Sequence, residues 1–429
     1  MTKRKIVVIG AGAAGLTAAG RLAELGGEVV LLEHGNRPGQ KLAITGKGRC
    51  NLTNIVDLPE FLNHFHPHGR FLRQAFSAHF TEETIRFFDS IGVPTVTERG
   101  GRVFPADNQA KNVVEALVQW NNRNGVLIYQ NLSVEKLLVE SGKVTGVKTC
   151  KTEVVKNKIR KNHTTEQIFE ADAVIVTTGG ASYPATGSTG DGYRLAKAVG
   201  HTVSTIRPAL VPLETAGDLA GKMKDLSLKN VTAKVWINGK KKNEAFGEMK
   251  FTKFGLTGPI ILTLSGEVVD ALEAGHKAAL TIDLKPALDD KKLDARLLRE
   301  FDQHGKRQFR KILKELMPMA MIPHCMENLG ILPDKPGHQI NAEDRKRLKN
   351  WLKELRFEIS GYRPFSEAII TAGGIVLKEV DPKTMESRKV KDLYFAGEVL
   401  DIQADTGGYN LQAAFSTGRL AAESAISQP

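Results

Sequence analysis

Three glycines and one acid at fixed spacing are the first residues in this sequence equipped for chemistry. Gly10-Ala11-Gly12-Ala13-Ala14-Gly15 sets glycines at the first, third and sixth positions of a turn. The first permits a tight turn, the second lets backbone N–H groups approach a phosphate, and the third lets a helix lie against a strand. Glu33 follows Gly12 by 21 residues. A carboxylate there accepts from both ribose hydroxyls of an adenosine and repels a 2′-phosphate. The chemistry is capture of an ADP moiety, with Gly10, Gly12, Ala13, Ala14, Gly15 and Glu33 in contact with it. A glycine-rich turn without a ligand is the plainer alternative. Strand, helix, second strand and acid in register weigh against it.

Those residues need elements to hold them. Lys5-Ile6-Val7-Val8-Ile9 is a continuous β-branched run, the pattern of a strand buried on both faces of a parallel sheet. Leu16 to Leu25 has helical spacing, and Glu28 to Glu33 reads as a second strand, completing a βαβ unit. Two further strand-to-glycine junctions lie downstream. Ala173 to Val176 runs into Thr178-Gly179-Gly180, and Leu393-Tyr394-Phe395-Ala396 runs into Gly397-Glu398. The second leads on to Gly407-Gly408-Tyr409-Asn410 and a small-residue helix from Leu411 to Ser424.

NAD and FAD share the ADP moiety, so the rest of the chain must decide between them. A dehydrogenase of the Rossmann type usually closes its nucleotide domain before a separate catalytic domain. Here the third junction stands at the far C-terminus. In two-dinucleotide-type flavoproteins such a late strand carries an acid toward the ribityl chain, the place of Glu398. The next helix aims its N-terminus at the flavin pyrimidine, where it stabilises negative charge at N1/O2 of the reduced ring. Thr178, Gly179, Gly180, Gly397, Glu398, Gly408, Tyr409, Asn410 and Leu411 are therefore candidate flavin contacts. The competing reading is a C-terminal packing helix behind a tight turn.

The stretch Gly39-Gln40-Lys41-Leu42-Ala43-Ile44-Thr45-Gly46-Lys47-Gly48-Arg49-Cys50-Asn51-Leu52-Thr53-Asn54 resembles a signature of the flavoproteins labelled NAD(FAD)-utilising dehydrogenases or aminoacetone-oxidase-like. That family includes a bile-acid-pathway reductase. The resemblance continues through Thr371 to Ile375, Thr384 to Ser387, Phe395 to Asp401 and Gly407 to Gln412, and so spans essentially the whole chain. It implies bound FAD, a three-part architecture and reduction of activated C=C bonds. Some members are similar to dihydrouridine synthases acting on 23S ribosomal RNA.

The resemblance also implies that the loop of Gly46, Arg49, Cys50 and Asn51 lies near the isoalloxazine. Lys41 and Arg49 are candidates to hold flavin phosphate, flavin O2 or a substrate anion. Hydride transfer to a C=C bond needs a proton for the neighbouring carbon. Cys50 is one candidate acid, although Lys47 and Arg49 would lower its pKa and a small packing group is the plainer role. Tyr409 is the second candidate, unless its ring simply stacks. His201 and His324 read as structural, and Asp401 and Asp405 as cap or loop acids.

Organisation and composition bound the rest. The expected fold is α/β: a two-dinucleotide-type FAD-binding Rossmann domain (1–204 and 371–429) interrupted by a β-barrel-like domain (205–285 and 355–370) with a helical insert (286–354). Residues 151–168 read as a protruding hairpin or loop. The 429 residues carry 60 Lys+Arg against 48 Asp+Glu, a net charge of +12. Such a field favours anionic partners. Residues 222–253 hold nine Lys/Arg and three Asp/Glu, and residues 143–161 hold seven Lys/Arg and one Glu. With Trp236, Phe246, Phe251 and Phe254 near the first, these basic patches suit ribosomal RNA. Solvating lysines over a barrel core, with a small-molecule substrate, is the alternative. Three scattered cysteines make neither a disulfide framework, a metal site nor a redox pair. With no bilayer-length apolar stretch, they suggest a reducing cytoplasm. No second dinucleotide fingerprint is evident, so NAD(P)H is expected only as a transient donor.

Overall fold

The β-branched run Lys5–Ile9 is strand β1, and all but its first residue are buried. It is followed by α1 (Ala13–Glu24), β2 (Glu28–Leu32), β3 (Leu127–Tyr129) and the fully buried β4 (Ala173–Val176). In this computed structural model, which describes residues 3–155 and 158–427 and the side chains outside 154–165, the chain divides into two units. One is 1–208 with 365–429, the other 209–364. The first unit holds a five-stranded sheet in the order Leu393–Phe395, β4, β1, β2, β3. Every pairing in it is parallel. The last strand therefore returns to sit beside β4, one strand from the first turn.

The terminal helix Tyr409–Ser427 buries Ala413, Phe415, Leu420, Ala421 and Ala425 in the same core as β1 and α1. Its Thr417 hydroxyl accepts from the Gly397 N–H at 3.0 Å, which ties the helix to the C-terminal glycine junction. The stretch 151–168 falls on the antiparallel strands Lys143–Val155 and Lys158–Glu170. The second basic patch, 143–161, reaches into side chains outside the described residues.

The second unit is a closed six-stranded antiparallel barrel. Its strands are β5 (Leu213–Thr215), β6 (Ser227–Ile237), β7 (Lys240–Phe251), β8 (Gly255–Thr257), β9 (Ala278–Asp283) and β10 (Leu355–Tyr362), in the order β5-β8-β7-β6-β9-β10. Val231, Ala233 and Val235 of β6 face inward with Leu280, Ile282 and Phe357. A 15-residue helix, Pro259–Glu273, interrupts what reads in sequence as strand-like texture. Ile260, Ile261, Leu264 and Val268 of that helix join the barrel core. The helices Asp290–Gln303 and Ala342–Lys353 contribute Leu293, Leu297, Leu348 and Leu352 to that same cluster. No helix among the described residues is long and apolar enough to cross a membrane.

Candidate functional site

The first turn is fixed by backbone contacts and by one acid. The Gly10 N–H donates to the Leu32 carbonyl at 2.7 Å, and Gly39 N–H to the Ala11 carbonyl at 2.8 Å. Glu33 is buried and accepts from the Ala11 N–H at 2.9 Å and the Gly35 N–H at 2.7 Å, one on each carboxylate oxygen. Each oxygen keeps a second lone pair for a ribose hydroxyl. Burial opposes a charge on the adjacent His34, yet its partner Asp191 (3.6 Å) and nearby Glu33 (3.9 Å) outweigh that and raise its pKa.

Two glycines of the turn serve different masters. A Cβ at Gly15 would overlap the Gly10 carbonyl oxygen, so chain packing itself requires glycine there. Gly12 caps α1 with φ −84° and ψ −165°, and a Cβ would meet no protein atom within 4 Å. Nothing among the described residues excludes a side chain at Gly12. The N-terminus of α1 has no capping side chain and no acid in its first turn, which leaves its N–H groups and their positive potential to a ligand.

The far junction meets the near one through small residues. A Cβ at Gly397 would lie 2.9 Å from Ala14 Cβ. Glu398, one residue on, accepts from Lys41 Nζ at 2.7 Å and from the Thr371 N–H at 2.8 Å, and Ser182 Oγ lies at 3.2 Å. Lys41 also donates to Ser182 Oγ at 2.6 Å. Gly179 and Gly180 belong to this neighbourhood, for a Cβ at Gly180 would press on the Thr371 side chain. Sequence reasoning selected Lys41, Thr178 and Glu398. It passed over Ser182, for which the preceding glycine pair was the available signal. Thr371 lay inside a matched motif without being singled out.

The loop before the terminal helix is clamped from both sides. Asn410 Oδ1 accepts from Ala404 N–H at 2.9 Å, and its Nδ2 donates to the Ala404 and Asp405 carbonyls at 2.9 and 3.2 Å. Gly408 packs against the Thr53 backbone, where a Cβ would come within 2.5 Å. The Tyr409 ring stacks on His64 with centroids 3.9 Å apart, and His64 Nδ1 pairs with Asp405 Oδ2 at 2.9 Å. Burial, then Glu60 and Asp405, push the Tyr409 phenol up to about 12, so it keeps its proton. His64 and Asp405 join only in the fold; no local pattern marks His64. His201 is buried against Ser387 at 2.7 Å, as a structural histidine would be.

The basic loop corrects two expectations. Cys50 is fully buried, and burial pushes its thiol up to about 12 rather than down. The Arg49 guanidinium that was to lower it donates instead to Asn108 (2.7 Å) and Glu98 and stands 4.1 Å over the Phe104 ring. A sealed thiol cannot reach a substrate, so Cys50 is a packing group and not a general acid. Arg49 is engaged by Glu98 and Asn108 in this structure instead of standing free for a phosphate. The chain from Gly46 to Cys50 is unusual nonetheless: Gly46, Lys47, Gly48 and Cys50 all have φ between 56° and 87°. Two buried oxygens just after this loop, Asn51 Oδ1 and Thr53 Oγ1, have no hydrogen-bond partner among the described residues. Buried polar atoms of that kind call for a ligand or water. The residues present thus fit FAD at both ends: an uncapped helix start with room at Gly12, and an orphaned polar loop beside Gly408.

Comparison with known proteins agrees. The model of the HI0933-like protein Rossmann domain matches residues 4–424. The 3-dehydro-bile acid delta(4,6)-reductase of Clostridium scindens is 31% identical over 99% of this chain and 100% of its own. The ribosomal RNA dihydrouridine synthase of Escherichia coli is 29% identical over 99% of both chains. Among solved structures, the 3-ketosteroid delta1-dehydrogenase of Sterolibacterium denitrificans shares the fold, with a TM-score of 0.56 and 13% identity over 100% of both chains.

Proposed function

The chain belongs to the HI0933-like Rossmann family and is an FAD-dependent oxidoreductase; from that premise we propose that it reduces an activated C=C bond, with uridine of 23S ribosomal RNA, converted to dihydrouridine, as its substrate. In this reading the α1 N-terminus with Gly12, Ala13 and Ala14 holds the pyrophosphate and Glu33 the adenosine ribose. Glu398, oriented by Lys41, Ser182 and Thr371, addresses the ribityl chain. The Gly408–Leu411 helix start meets the pyrimidine. Bound FAD supplies the hydride for one carbon of the double bond, with electrons entering from NAD(P)H.

The chain's task is then to position the uridine and to deliver a proton to the neighbouring carbon. Neither acid named from sequence stands open to a substrate: Tyr409, like Cys50, is buried, and its ring stacks on His64. Tyr409 retains its proton through neutral pH, and its ring is also held by Phe61, 4.8 Å away edge-on.

One observation supports the RNA reading over a small molecule: the β6–β7 hairpin presents Lys229, Lys240, Lys241 and Lys242 to solvent, with Lys253 just beyond it, a cationic face wider than the single carboxylate of a bile acid can use. The 31% identity to a bile-acid reductase favours the second reading, an NAD(P)H-dependent reductase of a steroid-like enone. Mass analysis of ribosomal RNA from a deletion strain separates them. Loss of a dihydrouridine, restored by the gene, is expected. Unchanged RNA, together with NAD(P)H-driven turnover of an enone by the purified protein, would overturn the RNA reading.

A further inference from the structure

The barrel's β6–β7 hairpin carries a mixed aromatic and cationic face whose layout follows from strand register. Side chains alternate across a strand, and Val231, Ala233 and Val235 are buried in the barrel. Thr232, Lys234 and Trp236 therefore face outward. Opposite them stand Phe246, Glu244 and Lys241 respectively, a shift in register separating the last pair from the others. The result is two rows of three: Thr232–Phe246, Lys234–Glu244, Trp236–Lys241. Paired positions are roughly 5 Å apart and diagonals about 7–8 Å, so Phe246 lies within reach of Lys234.

Three features distinguish this face from ordinary solvated strand. Phe246 is 64% exposed in the middle of a lysine-rich hairpin. Trp236 is pinned by its Nε1–H to Thr281 Oγ1 at 2.9 Å, which fixes the plane of its ring. Lys240 and Lys242 at the turn have no ion-pair partner among the described residues, while Lys241 spends its charge on Glu244 at 2.7 Å. Phe251, by contrast, is fully buried, and Phe254 lies beneath Arg363 at 4.5 Å. Of the four aromatics singled out in sequence, only Trp236 and Phe246 are placed to meet a ligand on this face.

We propose that this face is the docking surface for single-stranded RNA: an unstacked base lies on Phe246, and the backbone runs toward the turn, where Lys240 and Lys242 hold phosphates while Lys241 is engaged by Glu244. The distance from Phe246 to the turn is on the order of 20 Å along the strand. Aromatic platforms beside cationic tracks are the general solution for single strands, because every base offers a π-face. Glu244 is the one acid in the grid and acts against the phosphates, which makes it a tuning residue. This inference rests on the RNA reading above.

The test is fluorescence anisotropy of a labelled, uridine-containing RNA oligonucleotide with the purified holoprotein over a salt series. Phe246→Ala should weaken binding roughly tenfold. The double variant Lys240→Gln, Lys242→Gln should lower the slope of log K against log salt by about 1.4, close to 0.7 per lost phosphate contact on a single strand. Glu244→Gln should tighten binding severalfold at low salt, a gain that misfolding cannot mimic. If the parent binds the RNA and all three variants match it, this surface is wrong while the RNA reading stands. If the parent binds no RNA and ribosomal RNA of the deletion strain is unchanged, the RNA reading itself has failed. A poly-glutamate peptide held as tightly as RNA would also overturn the proposal, since it offers no base to stack.

Discussion

Gly12 offers the sharpest test of the cofactor assignment, because nothing among the described residues requires glycine there. With φ at −84°, alanine is conformationally acceptable, and its Cβ meets no protein atom within 4 Å. Gly12→Ala should therefore change the stability of the apoprotein by about 1 kcal/mol or less, the scale of an N-cap exchange. Its effect on FAD should be larger. A methyl at the helix start pushes the pyrophosphate away from N–H groups that donate to a charged oxygen. Losing such a bond costs about 1.5–3 kcal/mol, or roughly 10- to 150-fold in Kd. Gly15→Ala supplies the contrast, since its Cβ overlaps the Gly10 carbonyl oxygen. Helix and strand must separate, costing about 3 kcal/mol whether or not FAD is present. Thermal unfolding of flavin-free protein and titration with FAD, followed by flavin fluorescence, read the two quantities separately. Unchanged FAD affinity in Gly12→Ala would refute the assignment of this turn to the pyrophosphate. An apoprotein as unstable as Gly15→Ala would refute the distinction between the two glycines.

Three further outcomes are expected. Lys41→Met strips Glu398 of its cation and Ser182 of a donor; the unfolding free energy should drop by about 1–2 kcal/mol, and an unshifted denaturant midpoint would count against the network. Cys50→Ala should keep kcat within about threefold and leave the pH–rate profile between pH 6 and 9 unaltered, because a thiol pushed up to about 12 stays protonated throughout; a large loss of kcat in correctly folded holoprotein would restore it as an acid. Burial, reinforced by Arg419, lowers His79 to about 4, below its unfolded value of ~6.5. The unfolded chain therefore takes the proton first, and stability present above pH 6.5 is lost as pH falls toward 4, by about 3 kcal/mol. His79→Met should flatten that slope in equilibrium unfolding across pH 4–6.5, and a slope equal to the parent's would exclude the histidine as its source.

What was legible in the sequence was whatever local order carries. The β1 run, the glycine spacing and Glu33 lie within one βαβ unit, where a motif and its geometry are nearly the same thing. The helix Pro259–Glu273 escaped because Ile260-Ile261-Leu262 is a short apolar run with β-branched residues, which periodicity cannot assign to helix or strand. Cys50 misled because Lys47 and Arg49 are neighbours in sequence and not in effect. The chain turns left-handed between Gly46 and Cys50, and Arg49 leaves toward Glu98 and Phe104. The partners Lys41 with Glu398 and His64 with Asp405 are separated by 357 and 341 residues. No spacing rule reaches across such gaps.

Those long separations share one structural cause. A parallel sheet accepts a strand from any point in the chain at its edge, and the Leu393–Phe395 strand joins beside β4 after the whole second unit has been threaded. Its arrival brings Gly397 against Ala14 and sets Glu398 between Lys41 and Thr371. Both candidate ends of the ligand are thereby referred to one rigid body, the first turn of α1 packed on the terminal helix. Precision at a functional site comes from regular elements more than from loops, and here the Gly397–Glu398 junction is anchored to the terminal helix through Thr417. Insertions in the second unit's turns should accordingly be tolerated by FAD binding, whereas small volume changes at Ala14 should not, because that single methyl spaces the two junctions.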